Sequence, residues 1–254
     1  MHIPPEVPEA HPRPSSSRYR GRMTEPTPRR ALLVHGLSSE SGSWWRVSAA
    51  LESDGWDVTA VDLRGHGTAP RADSYRLADY AGDLPGGDWD LVIGHSLGGA
   101  ASVVAAQRPG FARMLVLLDP VLDVPVADQA EIMADQVSEL AYTEESIARD
   151  KPHWDERDRR AKLAGVRAVD PAAVTRTFTD TGRWDVTAEA RALGIRTVVL
   201  SGDPAVYTML DPALAAELVA ANPNIEYVVI PGTGHSPHRD RPEETLAAIR
   251  SFLH

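Results

Sequence analysis

A serine in a glycine-rich turn is the residue of this chain best placed for covalent chemistry. Ser96 lies in the segment Gly94-His95-Ser96-Leu97-Gly98-Gly99, between an apolar run and an Ala-rich stretch. This G-x-S-x-G spacing is typical of a sharp turn from a strand into a helix, because a side chain two residues before or after the serine would strike its neighbours. Such a turn exposes the hydroxyl and places the first N–H groups of the helix beneath the reacting oxygen. We therefore predict that Ser96 is a nucleophile.

Short apolar runs alternate with helix-like stretches from residue 30 onward. The runs are continuous, as expected for strands buried on both faces of a parallel sheet. The alternation of strand and helix predicts an α/β fold with a wound, mostly parallel sheet. Strands are predicted at Ala31–His35, Val58–Asp62, Leu91–Gly94, Met114–Asp119, Thr197–Ser201 and Tyr227–Ile230. Helices are predicted at about Ser43–Ser53, Leu77–Leu84, Leu97–Gln107, Pro212–Ala221 and Pro242–Phe252.

Two segments interrupt this alternation. Residues 1–29 are rich in Pro, Ser and Arg, which predicts a disordered N-terminal tail, and both Met1 and Met23 stay open as the start. Roughly 75 charged and helix-prone residues separate the fourth and fifth predicted strands, which is too long for a loop in a compact domain. We therefore predict a core made of residues 30–123 and 194–254, with a helical cap inserted at 124–193.

Four motifs of this chain together resemble those of the α/β-hydrolase superfamily. They are Val34-His35-Gly36-Leu37, Asp62-Leu63-Arg64-Gly65-His66-Gly67, Gly94–Gly99 and Gly232-Thr233-Gly234-His235-Ser236. The resemblance extends over about residues 30–254, apart from the predicted cap. It implies an α/β-hydrolase fold and a catalytic triad in the chain order Ser, acid, His.

The resemblance also assigns the groups that act with Ser96. It places the oxyanion hole at the backbone N–H of Leu37, after His35-Gly36, and at the N–H of Leu97. It makes His235 the general base, since His235 follows the last predicted strand in a Gly-rich turn before the final helix. A serine hydroxyl needs such a base, because it is a poor nucleophile until its proton is removed.

The acid that orients His235 stays open. Members of the superfamily usually carry it in a Gly-x-x-Asp turn after the penultimate strand, but this chain has Ala205 at that position and Asp203 two residues earlier. Some members carry it instead at the end of the strand that follows the nucleophile helix, where this chain has Asp119. We favour Asp119 and keep Asp203 as the alternative, with Asp123 as a third candidate.

Composition excludes several other classes of protein. The net charge of −10 disfavours a nucleic-acid partner, which needs clustered Lys and Arg. The chain has no cysteine, which rules out disulfides, thiolate metal sites and a Cys nucleophile, and no H-E-x-x-H spacing, so we predict neither metal nor cofactor. It has no apolar run of about 18 residues and no secretory signal, so we expect no membrane partner and a cytoplasmic location. The oligomeric state stays open.

These residues predict a serine hydrolase that cleaves a small, apolar carboxylic ester or lactone through an acyl-enzyme intermediate. Trp154 and Trp184 in the predicted cap, and Tyr207 after the penultimate strand, are expected to border the substrate. C–C bond hydrolysis and other Ser-dependent reactions of the fold stay open as alternatives. The non-enzymatic alternative is a catalytically silent small-molecule receptor.

Overall fold

Six parallel strands form one sheet in the computed structural model, which describes residues 28–253. Along the sheet the strands follow the order β2-β1-β3-β4-β5-β6. Each strand begins and ends within two residues of a predicted run, and the parallel pairing confirms the predicted fold class. The strands are β1 (Arg29–Val34), β2 (Trp56–Val61), β3 (Leu91–His95), β4 (Met114–Leu118), β5 (Arg196–Ser201) and β6 (Ile225–Val229).

Helices follow most of the strands and cover both faces of the sheet. Those of the predicted core are α1 (Trp45–Ser53), α2 (Leu77–Asp83), α3 (Leu97–Ala105), α9 (Pro212–Ala221), α10 (Pro237–Asp240) and α11 (Pro242–Ser251). Those between β4 and β5 are α4 (Gln129–Ser138), α5 (Glu144–Asp150), α6 (Glu156–Ala168), α7 (Pro171–Thr181) and α8 (Thr187–Arg191). Two short 3-10 turns, Ser41–Trp44 and Glu139–Ala141, complete the described helices.

The sheet has an apolar core on each face, because its strands are buried on both sides. In β1, Leu32 and Val34 join one core while Ala31 and Leu33 join the other. All four side chains are completely buried, so the continuous apolar run in the sequence reflects two packed layers rather than one. Burial of this apolar surface supplies most of the free energy that stabilises the sheet, and the sheet in turn fixes the positions of the carboxyl ends of its strands.

The segment between β4 and β5 packs on the core at several points. Helix α7 contributes Val174 and Phe178 to the core cluster that contains β1 and α3, and Trp184 and Val186 belong to the same cluster. Helix α6 packs against the 3-10 turn Ser41–Trp44. The division of the chain at residues 124 and 193 stays a prediction, since these helices share an apolar core with the sheet.

The predicted tail of residues 1–29 is too long at its carboxyl end. Arg29 belongs to β1, where it pairs with Trp56 of β2 and its guanidinium lies 4.2 Å above the Trp56 ring. Backbone pairing and this cation–π contact explain why a charged residue begins a strand. Residues 1–27, the rest of the predicted tail, lie outside the described residues.

A partly exposed network of hydrogen bonds joins the loop after β2 to the loop after β1. The Asp62 carboxylate accepts from the backbone N–H of Ser41 at 2.7 Å and from the N–H and hydroxyl of Thr68, both at 2.8 Å. Gly67 lies so close that a Cβ there would be 2.4 Å from the carboxylate. Burial alone would raise the pKa of Asp62, but these hydrogen bonds outweigh it and lower the pKa to about 2.

We expect Asp62→Asn to lower the free energy of unfolding by about 1 kcal/mol near pH 7, a value discounted because the carboxylate is partly exposed. A lowered pKa in the folded state stabilises the fold above the unfolded pKa of about 4, and this contribution is lost as the pH falls towards the folded pKa of about 2. Urea unfolding at a series of pH values should therefore give a constant difference between wild type and variant above about pH 5 and a shrinking one below about pH 4.

The matched control is Asp57→Asn, an exposed carboxylate on β2, which should change stability little at any pH. A difference between wild type and Asp62→Asn that stays constant down to pH 3 would contradict the role given to this carboxylate.

Candidate active site

Ser96 occupies a strained turn between β3 and α3. Its backbone has φ 54° and ψ −120°, a conformation that is rare for any residue except glycine. The two glycines around it are required sterically, since a Cβ on Gly94 would lie 2.6 Å from the Gly98 carbonyl oxygen and one on Gly98 would lie 2.3 Å from that of Val34. The fold therefore tolerates a strained backbone at Ser96, and this conformation places the hydroxyl at the carboxyl end of the sheet.

The turn after β1 lies directly against Ser96. A Cβ on Gly36 would be 2.9 Å from the Cβ of Ser96, so only glycine allows this approach. His35 holds the turn: its Nδ1 bonds to the Gly36 carbonyl at 2.7 Å and its Nε2 to the N–H of Leu63 at 3.1 Å. Burial lowers the pKa of His35 to about 3, so the ring is neutral, with Nδ1 as donor and Nε2 as acceptor.

Leu37 and Leu97 directly follow Gly36 and Ser96, the two residues that approach each other here. Leu97 is the first residue of α3, and the first-turn N–H groups of a helix have no acceptor within the helix. Leu37 follows Gly36 and lines the same cavity as Ser96 and Leu97. This arrangement suits the predicted oxyanion hole, and the assignment of the two N–H groups stays a prediction.

Asp119 meets the His235 ring at the carboxyl end of β4. Its Oδ2 lies 2.6 Å from His235 Nδ1 and also accepts from the N–H of Met209 at 2.9 Å. Its Oδ1 accepts from the hydroxyls of Ser201 and Thr208 and from the N–H of Gly202. Burial acts to raise the pKa of Asp119, but His235 and these donors outweigh it, so that the pKa lies below its ordinary value and the group is an anion.

The structure does not bring Asp203 or Asp123 to His235. Asp203 accepts from the N–H groups of Ala205 at 2.9 Å and Gly232 at 2.8 Å, which ties the turn after β5 to the turn before His235. Asp123 pairs with Arg183 at 2.5 Å. The carboxylate of Asp203, the alternative acid, is thus bonded to backbone donors of its own loop and of the turn before His235.

His95 and His238 support His235 from below, a contribution that the sequence did not reveal. His95 Nε2 lies 2.8 Å from the His235 carbonyl oxygen, and the two rings are 4.9 Å apart. The His238 ring lies 4.9 Å from that of His95 and stacks on Trp44 at 5.0 Å. Burial lowers the pKa of both His95 and His238, so they pack as neutral aromatic rings. Their places next to Ser96 and three residues after His235 were the available signals.

A single cavity of about 540 Å³ connects these residues with the segment between β4 and β5. Ser96, His235 and all three predicted substrate-bordering residues line it. Trp184 donates to the Val121 carbonyl at 2.8 Å, and Trp154 donates to Asp240 at 2.6 Å. Tyr207 is 56% exposed, and its ring lies edge-on to His235 at 6.4 Å between centroids.

Asp240 joins the His235 loop to the loop between α5 and α6. Its Oδ2 accepts from the N–H of Gly234 at 2.7 Å, and its Oδ1 contacts His153 Nε2 at 3.0 Å in addition to Trp154. Sequence reasoning missed this residue because its partners are either backbone atoms or side chains more than 80 positions away.

The described residues contain neither a candidate metal site nor a candidate membrane span. Residues 28–253 contain no group of three or more His, Asp or Glu arranged to hold a metal ion. In the same part of the chain, no helix is long and apolar enough to cross a membrane.

Comparison with known proteins assigns the family. A family model described as "Alpha/beta hydrolase family" matches residues 31–249. The curated 2-(acetamidomethylene)succinate hydrolase of Mesorhizobium japonicum is 28% identical over 257 aligned positions, which cover 87% of each chain. The crystal structure of E-2-(acetamidomethylene)succinate hydrolase has a TM-score of 0.76 at 24% identity, covering 89% of this chain and 91% of that one. A thermophilic esterase from Thermogutta terrifontis, with malate bound, has a TM-score of 0.71 at 24% identity, covering 89% and 90%. With the α/β fold and the Ser96 turn, these matches establish that the chain belongs to the α/β-hydrolase family of enzymes.

Proposed function

We propose that this protein is a serine hydrolase that cleaves a carboxylic ester or lactone through an acyl-enzyme intermediate. The observation that carries the proposal is the 2.6 Å contact between Asp119 Oδ2 and His235 Nδ1 beside a cavity that Ser96 also lines. Because Nδ1 is committed to the carboxylate, Nε2 is the nitrogen left to take a proton from the nucleophile.

Each residue has a distinct part in the proposed reaction. Ser96 Oγ attacks the carbonyl carbon while His235 Nε2 accepts its proton, and Asp119 fixes the ring tautomer and stabilises the imidazolium. The N–H groups of Leu37 and Leu97 stabilise the negative oxygen of the tetrahedral intermediate. His235 then gives the proton to the leaving alkoxide, and water hydrolyses the acyl-enzyme by the same steps in reverse order.

The proposed substrate is a small molecule with an apolar part. Support comes from the apolar side chains along the wall of the cavity, which suit an apolar acyl or alcohol group. They include Leu97, Val121, Val124, Ile132, Phe178 and Trp184.

A second candidate is hydrolysis of a compound such as 2-(acetamidomethylene)succinate. It is favoured by the similarity over 87% of both chains to a relative named 2-(acetamidomethylene)succinate hydrolase. That compound therefore belongs in the first substrate panel beside esters, lactones and a C–C bond substrate. The bond class with the highest kcat/KM decides between these candidates.

A fluorophosphonate probe tests the nucleophile directly. We expect covalent labelling at Ser96, located by mass spectrometry of the proteolytic peptide, and loss of labelling in Ser96→Ala. Turnover of the best ester in the panel should fall by at least about 10³-fold in this variant, because the attacking oxygen is absent. The control is Ser53→Ala, an exposed serine at the end of α1. A folded wild-type protein that takes no label would favour the silent receptor.

The acid is tested by comparing two substitutions that each remove one carboxylate charge. Asp119→Asn should lower kcat by about 10³- to 10⁴-fold, because an amide favours the wrong ring tautomer of His235 and leaves the imidazolium unpaired. Asp203→Asn should keep kcat within about threefold, since that side chain binds the backbone of its own loop and that of Gly232. Steady-state kinetics on both variants, with circular dichroism to verify folding, gives the answer. Intact turnover in Asp119→Asn and its loss in Asp203→Asn would refute the proposed triad.

A further inference from the structure

One end of the cavity carries two buried basic side chains that the proposed reaction does not use. We name as the cationic end the side chains of Arg239 on α10 and Lys162 on α6, with the hydroxyl of Ser39 between β1 and α1. All three line the cavity that contains Ser96 and His235, and all three are buried. Burying a cation is costly unless its charge and its donors are satisfied.

Arg239 is the least satisfied of these groups. Its side chain is only 4% exposed, and its Nε has no hydrogen-bond partner among residues 28–253. Within the same residues, the one hydrogen bond of the guanidinium runs from Nη2 to Ser39 Oγ at 3.3 Å, whereas a guanidinium carries five N–H donors. The guanidinium carbon lies 5.0 Å from the centre of the Trp154 ring, so a cation–π contact stabilises the group at the cavity wall.

The neighbouring carboxylates are occupied by other donors. Glu139 pairs with Lys162 at 2.5 Å, and Asp240 accepts from His153, Trp154 and the N–H of Gly234. Asp158 Oδ1 accepts from Trp45 Nε1 at 2.8 Å, and its Oδ2, which accepts no hydrogen bond from the described residues, lies 3.7 Å from Arg46 Nη2. Among the described residues, none of these three anions accepts a hydrogen bond from Arg239, although all three act on its charge, so the guanidinium keeps unpaired N–H donors at the cavity.

Helix α6 meets the loop after β1 at this end of the cavity. Gly165 of α6 packs so tightly on the loop after β1 that a Cβ there would lie 2.7 Å from Ser39 Cα. Ser38 in this loop has a strained φ of 53°, and its carbonyl oxygen lies 3.5 Å from Lys162 Nζ. The groups of the cationic end are therefore held in place before any ligand arrives, as recognition of a small anion requires.

We propose that Arg239, together with Ser39 Oγ, binds a carboxylate group of the substrate. The inference rests on the proposed function and narrows it: the substrate has an apolar part against the cavity wall, a scissile acyl group at Ser96 and a carboxylate at the cationic end. Arg239 is the one basic side chain of the cationic end without a direct ion pair among the described residues, because Lys162 is paired with Glu139. That balance suits a monoanionic carboxylate better than a dianionic phosphate.

The first test compares two series of 4-nitrophenyl esters with matched chain length. One series carries a terminal carboxylate (the half-esters of adipate, pimelate and suberate), and the other ends in a methyl group (hexanoate, heptanoate and octanoate). In wild type we expect a higher kcat/KM for the carboxylate series. Arg239→Gln should lower kcat/KM for that series by about 10- to 100-fold and leave the methyl series within about threefold, because it removes a charge-assisted hydrogen bond made only by the carboxylate.

Two further variants serve as controls. Arg239→Lys keeps the charge without the planar fork and should fall between wild type and Arg239→Gln. Arg160→Gln removes an exposed arginine of α6 that pairs with Glu156 on the same helix, and it should change neither series. An equal loss in both series with Arg239→Gln, or no change in either, overturns the proposal.

A binding measurement separates this proposal from the proposed function and does not require turnover. Adipate should raise the Tm of Ser96→Ala, and this shift should vanish in Ser96→Ala combined with Arg239→Gln. Stabilisation of Ser96→Ala by adipate, with no ester hydrolysed by wild type, would refute the proposed reaction and support the carboxylate site. Absence of an adipate shift, or a larger shift with inorganic phosphate than with adipate, would overturn the carboxylate site even where Arg239→Gln fails to fold.

Discussion

The hydrogen bond between Asp119 and His235 is the contact on which the rest of the site depends. It joins the end of β4 to the loop after β6, with β5 between them in the sheet. A fully buried carboxylate is tolerated only where donors surround it, and here the end of β5 and the turn after it supply them from Ser201, Gly202, Thr208 and Met209. The register of three strands is therefore needed to place one imidazole.

The remaining parts of the site converge on this imidazole from separate elements. The Ser96 turn is held by glycines that permit close contact between β1, β3 and α3. His95 supports the His235 backbone from the same turn, so Ser96 and His235 share one structural unit. Asp240 fixes the other side of the His235 loop and bonds to the loop between α5 and α6. A displacement of the segment that carries Trp154 would consequently alter the position of His235 through Asp240.

Sequence reasoning succeeded where the physical signal is local. The strands were predictable because burial on both faces of a parallel sheet requires continuous apolar runs, and the Ser96 turn because its steric demands lie within five residues. The choice between Asp119 and Asp203 was not local. It depends on which loop folds over β4, and chain spacing alone does not report that. Arg239, Lys162 and Asp240 escaped notice for the same reason, since their partners lie on elements far away in sequence.

The central claim is that Ser96, His235 and Asp119 act as one unit, and the labelling rate of Ser96 by a fluorophosphonate tests it most directly. The rate is to be measured in wild type, His235→Ala, Asp119→Asn and the double variant. If Asp119 acts only through His235, the double variant should label at the same slow rate as His235→Ala, because the second substitution then removes nothing further. A double variant whose loss equals the product of the two single losses would contradict the account.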